Sequence, residues 1–307
     1  MSLGKILRNI LIFFQTVVLT ANSFAQNSND TNLVNRKLLG GIIVFESISA
    51  ATSLGGLSVL WYADNPQSSF HLFNDNKEWL QMDKVSHATA AYSIGKAGYN
   101  LLSWPGVEKK KAVWYGGTAG FIYLAAIEFM DGFSAEWGAS LGDLTVNAIG
   151  SAAFISQQLA WEEQRVLLKW SYHNSKYAQY RPNTLGRNLP ERMLKDYNGQ
   201  TGWLSVNVHS FLADDSRFPK WLNVALGYGA DGMLAGYSNP AEINGDILPS
   251  FERTRQYFLS LDLDLTRIET KSKAFKNFFN LIGFIKVPFP ALEYNQNNGW
   301  VLHSLYF

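Results

Sequence analysis

The hydrophobic pattern of this chain of 307 residues changes its period partway along. Residues 38–163 contain long apolar stretches rich in Gly, Ala and Ser, which are typical of closely packed helices. Beyond about residue 200, apolar and polar side chains alternate, which is the pattern of strands. The sequence therefore predicts an α+β fold, with an N-terminal bundle of about four helices and a C-terminal antiparallel β region that includes one amphipathic helix.

The four helices are predicted at residues 38–61, 83–102, 112–130 and 141–163. The first is long enough, at ~1.5 Å per residue, to cross the hydrocarbon layer of a membrane. Glu46 lies in its middle, and a carboxylate there is costly against lipid. The helix therefore either turns Glu46 towards partners in a membrane or is a buried helix of a soluble bundle.

The clearest strand signal is residues 257–268, where Tyr257, Leu259 and Leu261 fall on one face and Ser260 and Asp262 on the other. Weaker strands are predicted at residues 203–212, 222–230 and 300–307. This alternation fits both an outer-membrane barrel and an ordinary sheet with one buried face. Four or five strands are too few for an eight-stranded barrel, so we expect a sheet that packs its apolar face on the helical part. The amphipathic helix at 272–285 would cover that face or lie on a membrane surface.

Residues 1–25 resemble a secretory signal peptide, with Lys5 and Arg8 before a short apolar segment and small residues at Ser23 and Ala25. A transmembrane helix is the alternative, but an apolar core of about ten residues is too short to span a bilayer. Residues 26–37 are predicted to be a flexible leader, followed by a helical domain at 38–165, a connector at 166–200 and a strand-rich region at 201–307. Because the sequence contains no cysteine, it offers no thiol for lipid attachment, disulfides or metal binding.

The charges of the chain are balanced, with 26 Lys and Arg against 25 Asp and Glu. They are scattered, so the basic stripe of a nucleic-acid-binding protein is missing, and no Gly-rich phosphate loop indicates a nucleotide. The expected partners are membrane lipid or envelope proteins. We expect an exported protein on the periplasmic side of the envelope, associated with the outer membrane.

Three polar clusters interrupt the predicted helices, each with a spacing of three or four residues that places its members on one helix face. We predict that they meet at one site inside the helical domain. The clusters are Asp83, Lys84 and His87; Glu128 and Asp131; and Asp143 and Asn147.

Several of these residues also have a purely structural explanation. Asp83 stands where an N-cap is expected, which would leave Lys84 solvated. His87 lies one turn beyond Asp83, where the carboxylate could orient the imidazole of a base or metal ligand. Asp143 follows Ser140 at capping-box spacing.

Glu128 is harder to explain, because it lies near the end of an apolar run at residues 121–130. An unpaired carboxylate is expensive there, so Glu128 is expected either to pair with His87 or Lys84 or to reach solvent at the helix end. Asn147 could hydrogen-bond between helices.

The order of these motifs, Asp83-Lys84-x-x-His87, then Glu128-x-x-Asp131-Gly-Phe-Ser and Asp143-Leu-x-x-Asn147, resembles the YfiM-like family of exported envelope proteins. A more distant similarity is to VanZ-like membrane proteins. The resemblance covers about residues 80–160. Members of the YfiM-like family are typically lipoproteins of unknown activity, so the resemblance implies an envelope location and a helical domain but no reaction.

Two classes of function follow from the sequence. The first is a structural or interaction component of the envelope, not an enzyme, in which the polar cluster is an internal latch. The alternative is a membrane-surface hydrolase or transferase acting on lipid or cell-wall precursors. His87 would be its base, oriented by Asp83, and Glu128 and Asp143 would be acids, or His87, Glu128 and Asp143 would bind a divalent metal. A transporter component would require oligomers of these helices.

Overall fold

The computed structural model describes residues 34–59, 66–213, 215–243 and 245–307. The predicted signal peptide, most of the leader and the last two residues of the predicted first helix, 60 and 61, lie outside the described residues. The chain divides into two compact units. The first contains the described residues up to Asn74 together with Ile94–Leu159, and the second contains Asp75–Ser93 together with Ala160–Phe307.

Seven α-helices precede residue 200 in the described part of the chain, so the prediction of about four helices is wrong. They are α1 (Arg36–Leu57), α2 (Met82–Ser103), α3 (Lys109–Gly117), α4 (Ala119–Asp131), α5 (Leu141–Trp161), α6 (Pro182–Leu185) and α7 (Leu189–Lys195). The predicted third helix is in fact two, because α3 ends at the pair Gly116-Gly117, and the other extra helices are two short ones in the predicted connector. An eighth helix, α8 (Lys273–Ile282), is the predicted amphipathic helix.

Small residues let the helices of the first unit approach closely, as expected. A Cβ atom on Gly116 would lie 2.3 Å from the backbone nitrogen of Tyr99, and one on Gly95 would lie 2.6 Å from the carbonyl oxygen of Gly117. Larger side chains at these positions would force α2 and α3 apart. Among the described residues, α1 is the one helix long and apolar enough to cross a membrane, by length and composition alone.

The second unit contains a six-stranded antiparallel sheet in the order β1-β2-β3-β6-β7-β8, and a separate two-stranded hairpin of β4 and β5. The strands are β1 (Val166–Tyr172), β2 (Gln200–Asn207), β3 (Leu222–Asp231), β4 (Glu242–Ile243), β5 (Asp246–Ile247), β6 (Thr254–Leu263), β7 (Phe289–Asn295) and β8 (Gly299–Tyr306). The four predicted strands correspond to β2, β3, β6 and β8. The predicted connector contains β1, and β7 has Pro290 near its start, which weakens a strand signal.

The six-stranded sheet is strongly curled. On a flat sheet β2 and β8 would lie about 19 Å apart, since four spacings of about 4.8 Å separate them. The hydroxyl oxygens of Thr201 on β2 and Tyr306 on β8 are nevertheless 3.1 Å apart. The curl encloses an inner face whose core is filled by Trp203, Ala225, Phe258, Ala291 and Tyr306.

The burial of the two faces is the reverse of the expected one. On β6, Ser260 and Asp262 are buried on the inner face, whereas Tyr257, Leu259 and Leu261 are about half exposed on the outer face. At β6 the expectation that the sheet packs its apolar face on the helical part is therefore wrong. The curl explains the reversal, because polar side chains from several strands meet on the inside and satisfy one another.

The first half of α2 packs on the outer face of the sheet over β2. A Cβ atom on Gly202 would lie 2.2 Å from Val85 Cγ1, so glycine is required where the helix crosses the strand. Ser86 donates a hydrogen bond to Gln200 Oε1 over 2.7 Å, and Tyr92 donates one to Gln164 Oε1 over 3.1 Å. These contacts fix the position of the predicted Asp83 cluster within the second unit.

Candidate functional site

Asp83 lies in the first turn of α2, where its carboxylate is held by side chains. The hydroxyl of Tyr197 donates a hydrogen bond to Oδ1, and Lys84 Nζ lies 3.1 Å from Oδ2. Burial alone would raise the pKa of Asp83, but the charges of His87 and Lys84 and the hydrogen bond from Tyr197 outweigh it, so the pKa lies below its ordinary value. Asp83 is therefore an anion at neutral pH.

Lys84 is buried, which corrects the expectation that it is solvated. Its Nζ lies 2.7 Å from Asp75 Oδ1 and 3.1 Å from Asp83 Oδ2. A buried ammonium requires such pairing, because removing the charge from water is expensive. Asp75 lies in the loop that precedes α2, so the spacing of residues along the helix did not indicate this ion pair.

His87 is one turn beyond Asp83, with its Nε2 3.7 Å from Asp83 Oδ1. The predicted pairing on one helix face is therefore present. Both side chains are largely buried. Such a carboxylate can orient an imidazole, so the pair can move a proton or offer two ligand atoms to a cation.

The turn immediately before this pair has an unusual backbone. Trp79, Leu80 and Gln81 have φ values of 48°, 51° and 68°, which L residues adopt at a cost of roughly 1–2 kcal/mol each. Within the second unit the turn is held by a hydrogen bond from the Tyr228 hydroxyl to the carbonyl of Leu80, and by one from Arg255 to Gln81. These contacts fix the start of α2 and so the direction of Asp83.

Glu128 lies in the first unit, on α4, and is buried. Its Oε2 accepts a hydrogen bond from the backbone amide of Ser140 over 2.9 Å. Ser140 directly precedes α5. In a capping box, a glutamate within the helix accepts a hydrogen bond from the amide of the residue at this position, and here Glu128 of α4 accepts it instead. A carboxylate at this helix start is further stabilised by the helix dipole.

The predicted capping of α5 by Ser140 is present, since the amide of Asp143 donates to Ser140 Oγ over 3.0 Å. Asp143 and Asn147 are both buried, one turn apart on α5. Asp131, at the end of α4, accepts a hydrogen bond of 2.6 Å from the indole nitrogen of Trp137. Glu128, Ser140 and Asp143 thus form one polar group around the start of α5.

The structure therefore places the predicted site residues in two sets. Asp83, Lys84 and His87 belong to the second unit, and Glu128, Asp131, Asp143 and Asn147 belong to the first. Convergence of the two sets on one catalytic or metal site stays a prediction.

A third polar group, which the sequence did not reveal, lies on the inner face of the sheet. Lys169 Nζ on β1 is 2.7 Å from Asp262 Oδ2 on β6, and both side chains are fully buried. Lys286 is buried nearby and its ammonium lies 4.5 Å from the ring centre of Trp203. Only the curl of the sheet brings these distant strands together, so no local spacing could have indicated the pair.

The outer face of the sheet carries its side chains in ordered rows. Cross-strand register places one aromatic row over five of the six strands: Trp170, Tyr228, Tyr257, Tyr294 and Trp300, with Gly202 at the β2 position. The next row contains a leucine from every strand: Leu168, Leu204, Leu226, Leu259, Leu292 and Leu302. Val166, Val206, Val224 and Leu261 form the row after it.

Comparison with known families bears on the helical region. Residues 71–157 match a family described as "Predicted periplasmic lipoprotein (DUF2279)". No curated protein and no solved structure matches the chain. The family match agrees with the expected envelope family at this level and gives no support to the VanZ-like resemblance. It supports an exported, periplasmic, envelope-associated protein of unknown activity.

Proposed function

We propose that the protein is a non-catalytic component of the cell envelope that attaches to the outer membrane through the outer face of its sheet. The main supporting observation is the burial of that sheet, in which the outer face is apolar and exposed while the inner face buries charged and polar side chains such as Lys169, Ser260 and Asp262. Outward apolar and inward polar residues are characteristic of β structure in outer membranes. The helical unit would then be the part of the protein that is held at the membrane.

The energetics favour removing this face from water. Leu226, Leu259 and Leu302 are 53%, 48% and 76% exposed, and large aromatic side chains surround them. Soluble monomers rarely expose a continuous apolar surface of this kind. Each leucine transferred from water to hydrocarbon contributes roughly 1 kcal/mol, so several rows together suffice for stable attachment.

Flotation with phospholipid vesicles tests the proposal. The full chain is expected to float with the vesicles and to resist extraction by carbonate. Leu259→Asp together with Leu302→Asp should abolish flotation, because both carboxylates would enter lipid. Leu189→Asp is the matched control, since Leu189 is 52% exposed and belongs to α7, not to a strand of the sheet. A wild-type protein that stays in the soluble fraction, or equal flotation of both variants, would overturn the proposal.

A hydrolase or transferase remains the second candidate, favoured by the Asp83 and His87 pair. An ionised, largely buried carboxylate beside an imidazole is the arrangement of a general base, and a divalent metal bound by His87, Glu128 and Asp143 is part of this hypothesis. Metal analysis of protein purified without chelator, with assays of lipid and phosphate esters, tests it. This candidate would be rejected if the protein contained no bound metal and showed no activity that is lost in His87→Ala.

A further inference from the structure

The outer face of the sheet has a layered order along its strands. Successive rows on one face lie two residues, or about 6.8 Å, apart. The aromatic row at Tyr257 is followed on β6 by Leu259, Leu261 and Leu263, so the aliphatic part extends about 20 Å beyond it. This aromatic row therefore lies at one end of the strands.

Aromatic side chains also lie at the opposite end of the strands. Trp221 directly precedes β3 and is exposed, and Phe211 follows β2 closely and contacts Trp161 with a ring separation of 6.0 Å. The outer face is therefore aliphatic in the middle and aromatic at both ends. A bilayer has this same order, because Trp and Tyr prefer the two interfaces and Leu and Val prefer the hydrocarbon.

We propose that the exposed strands β3, β6, β7 and β8 run across the hydrocarbon layer, with the outer face against lipid acyl chains. This inference rests on the proposed membrane attachment and adds the orientation of the sheet. β3 and β6 have ten residues each, which is the length that a tilted strand needs to cross the layer. A sheet lying flat on a membrane would have no reason to separate aromatic from aliphatic rows.

Strand edges in lipid need partners for their backbone groups. The curl turns the edge strands β1 and β8 towards each other, because His173, which follows β1, contacts Tyr306 with a ring separation of 5.7 Å. Residues 284–286 also pair with β1, through hydrogen bonds of 2.9 Å from Trp170 to Phe284 and from Lys286 to Trp170. These contacts leave fewer unpaired backbone groups at the edge strands to face lipid.

The amphipathic helix α8 agrees with this orientation. Asp264, which follows β6, donates a backbone hydrogen bond to Trp221, and a Cβ atom on Gly283, directly after α8, would lie 3.0 Å from Thr266. The helix therefore ends at the end of the strands that carries Trp221. Phe275, Phe278 and Leu281 are exposed on its apolar side, and Lys273 and Lys276 lie on the opposite side. A helix of this kind at this level would lie in the plane of the interface, with its lysines towards anionic headgroups.

Spin labels at single cysteines test the depth of each row, and the natural chain has no cysteine to remove. Tyr257→Cys, Leu259→Cys and Leu261→Cys sample three successive rows of β6, and Leu189→Cys is the control outside the sheet. Collisions of the label with oxygen, which concentrates in lipid, and with a water-soluble nickel complex give the depth in phospholipid vesicles.

The labels at 259 and 261 are expected to be deeper than the label at 257 by several ångströms, and the label at 189 to stay in water. Equal depths along β6 would overturn the orientation, as would three labels exposed to water on vesicle-bound protein. Equal depths would leave attachment through the outer face standing, whereas labels in water would overturn attachment through this face as well. Failure of the unlabelled chain to float would instead reject the proposed function together with this inference.

Discussion

Replacing Asp262 by Asn tests the curl of the sheet, on which the distinction between its two faces depends. Asp262 Oδ2 accepts hydrogen bonds of 2.7 Å from Lys169 and from Ser205, and Oδ1 accepts one of 3.1 Å from the amide of Val287. Asparagine keeps the shape and one acceptor oxygen but removes the charge. Lys169 would keep its 2.8 Å hydrogen bond to the carbonyl of Leu263. It would lose its ion pair with the carboxylate of Asp262.

The expected cost follows from the burial of this pair. Both side chains are 0% exposed, so the ammonium left behind cannot be solvated by water without opening the inner face. Breaking a buried ion pair from one side typically costs about 3–5 kcal/mol. Replacing both partners by apolar residues, as in Lys169→Met with Asp262→Leu, should cost less than the single change, because the buried ammonium of Lys169 is then removed together with its carboxylate.

Urea unfolding in detergent micelles, followed by tryptophan fluorescence, would measure these differences. The control is Glu108→Gln, which breaks the surface pair of Glu108 and Lys111, whose side chains are 52% and 44% exposed. That change should cost less than about 1 kcal/mol. If Asp262→Asn costs no more than this control, the pair is not buried and the curled sheet is refuted.

Three further predictions concern the other charged groups. Glu128→Ala should lower the free energy of unfolding by about 1–3 kcal/mol because the amide at the start of α5 loses its acceptor, while the exposed Glu136→Ala should change it by less than about 0.5 kcal/mol; equal effects would contradict the cap. Because the pKa of Asp83 is lowered on folding, its ionised form stabilises the protein above about pH 4 and this contribution is lost as the pH falls further. The stability gap between wild type and Asp83→Asn should therefore shrink as the pH falls below about 4. A gap that does not shrink there would exclude the charge as its cause. Lys273→Gln with Lys276→Gln should weaken binding to anionic vesicles roughly 10–30-fold, from about 1 kcal/mol per lysine, and leave binding to neutral vesicles unchanged; an equal loss on both would show that the lysines act through folding.

Much of the helical unit could be predicted because its signals are local. The spacing of Ser140 and Asp143 indicated the start of α5, and the pair Asp83 and His87 was correctly placed on one helix face. The partners of these residues were harder to foresee. Asp75 and Tyr197 contact the Asp83 cluster from loops, and Glu128 caps a helix other than its own. The spacing of residues along the chain does not predict contacts of this kind.

The sequence by itself determined the α+β class, the approximate positions of the main helices and four strands, and the division of β6 into an apolar and a polar face. These are consequences of hydrophobic period, which depends only on neighbouring residues. The alternation of apolar and polar residues identifies two faces of a strand, however, and does not indicate which face is buried. That was decided by tertiary structure, because the curl joins Lys169 to Asp262 and Thr201 to Tyr306 across distant strands. Once polar groups are satisfied inside, the leucine row is left outside, and this exposed row is the surface that we propose to meet lipid.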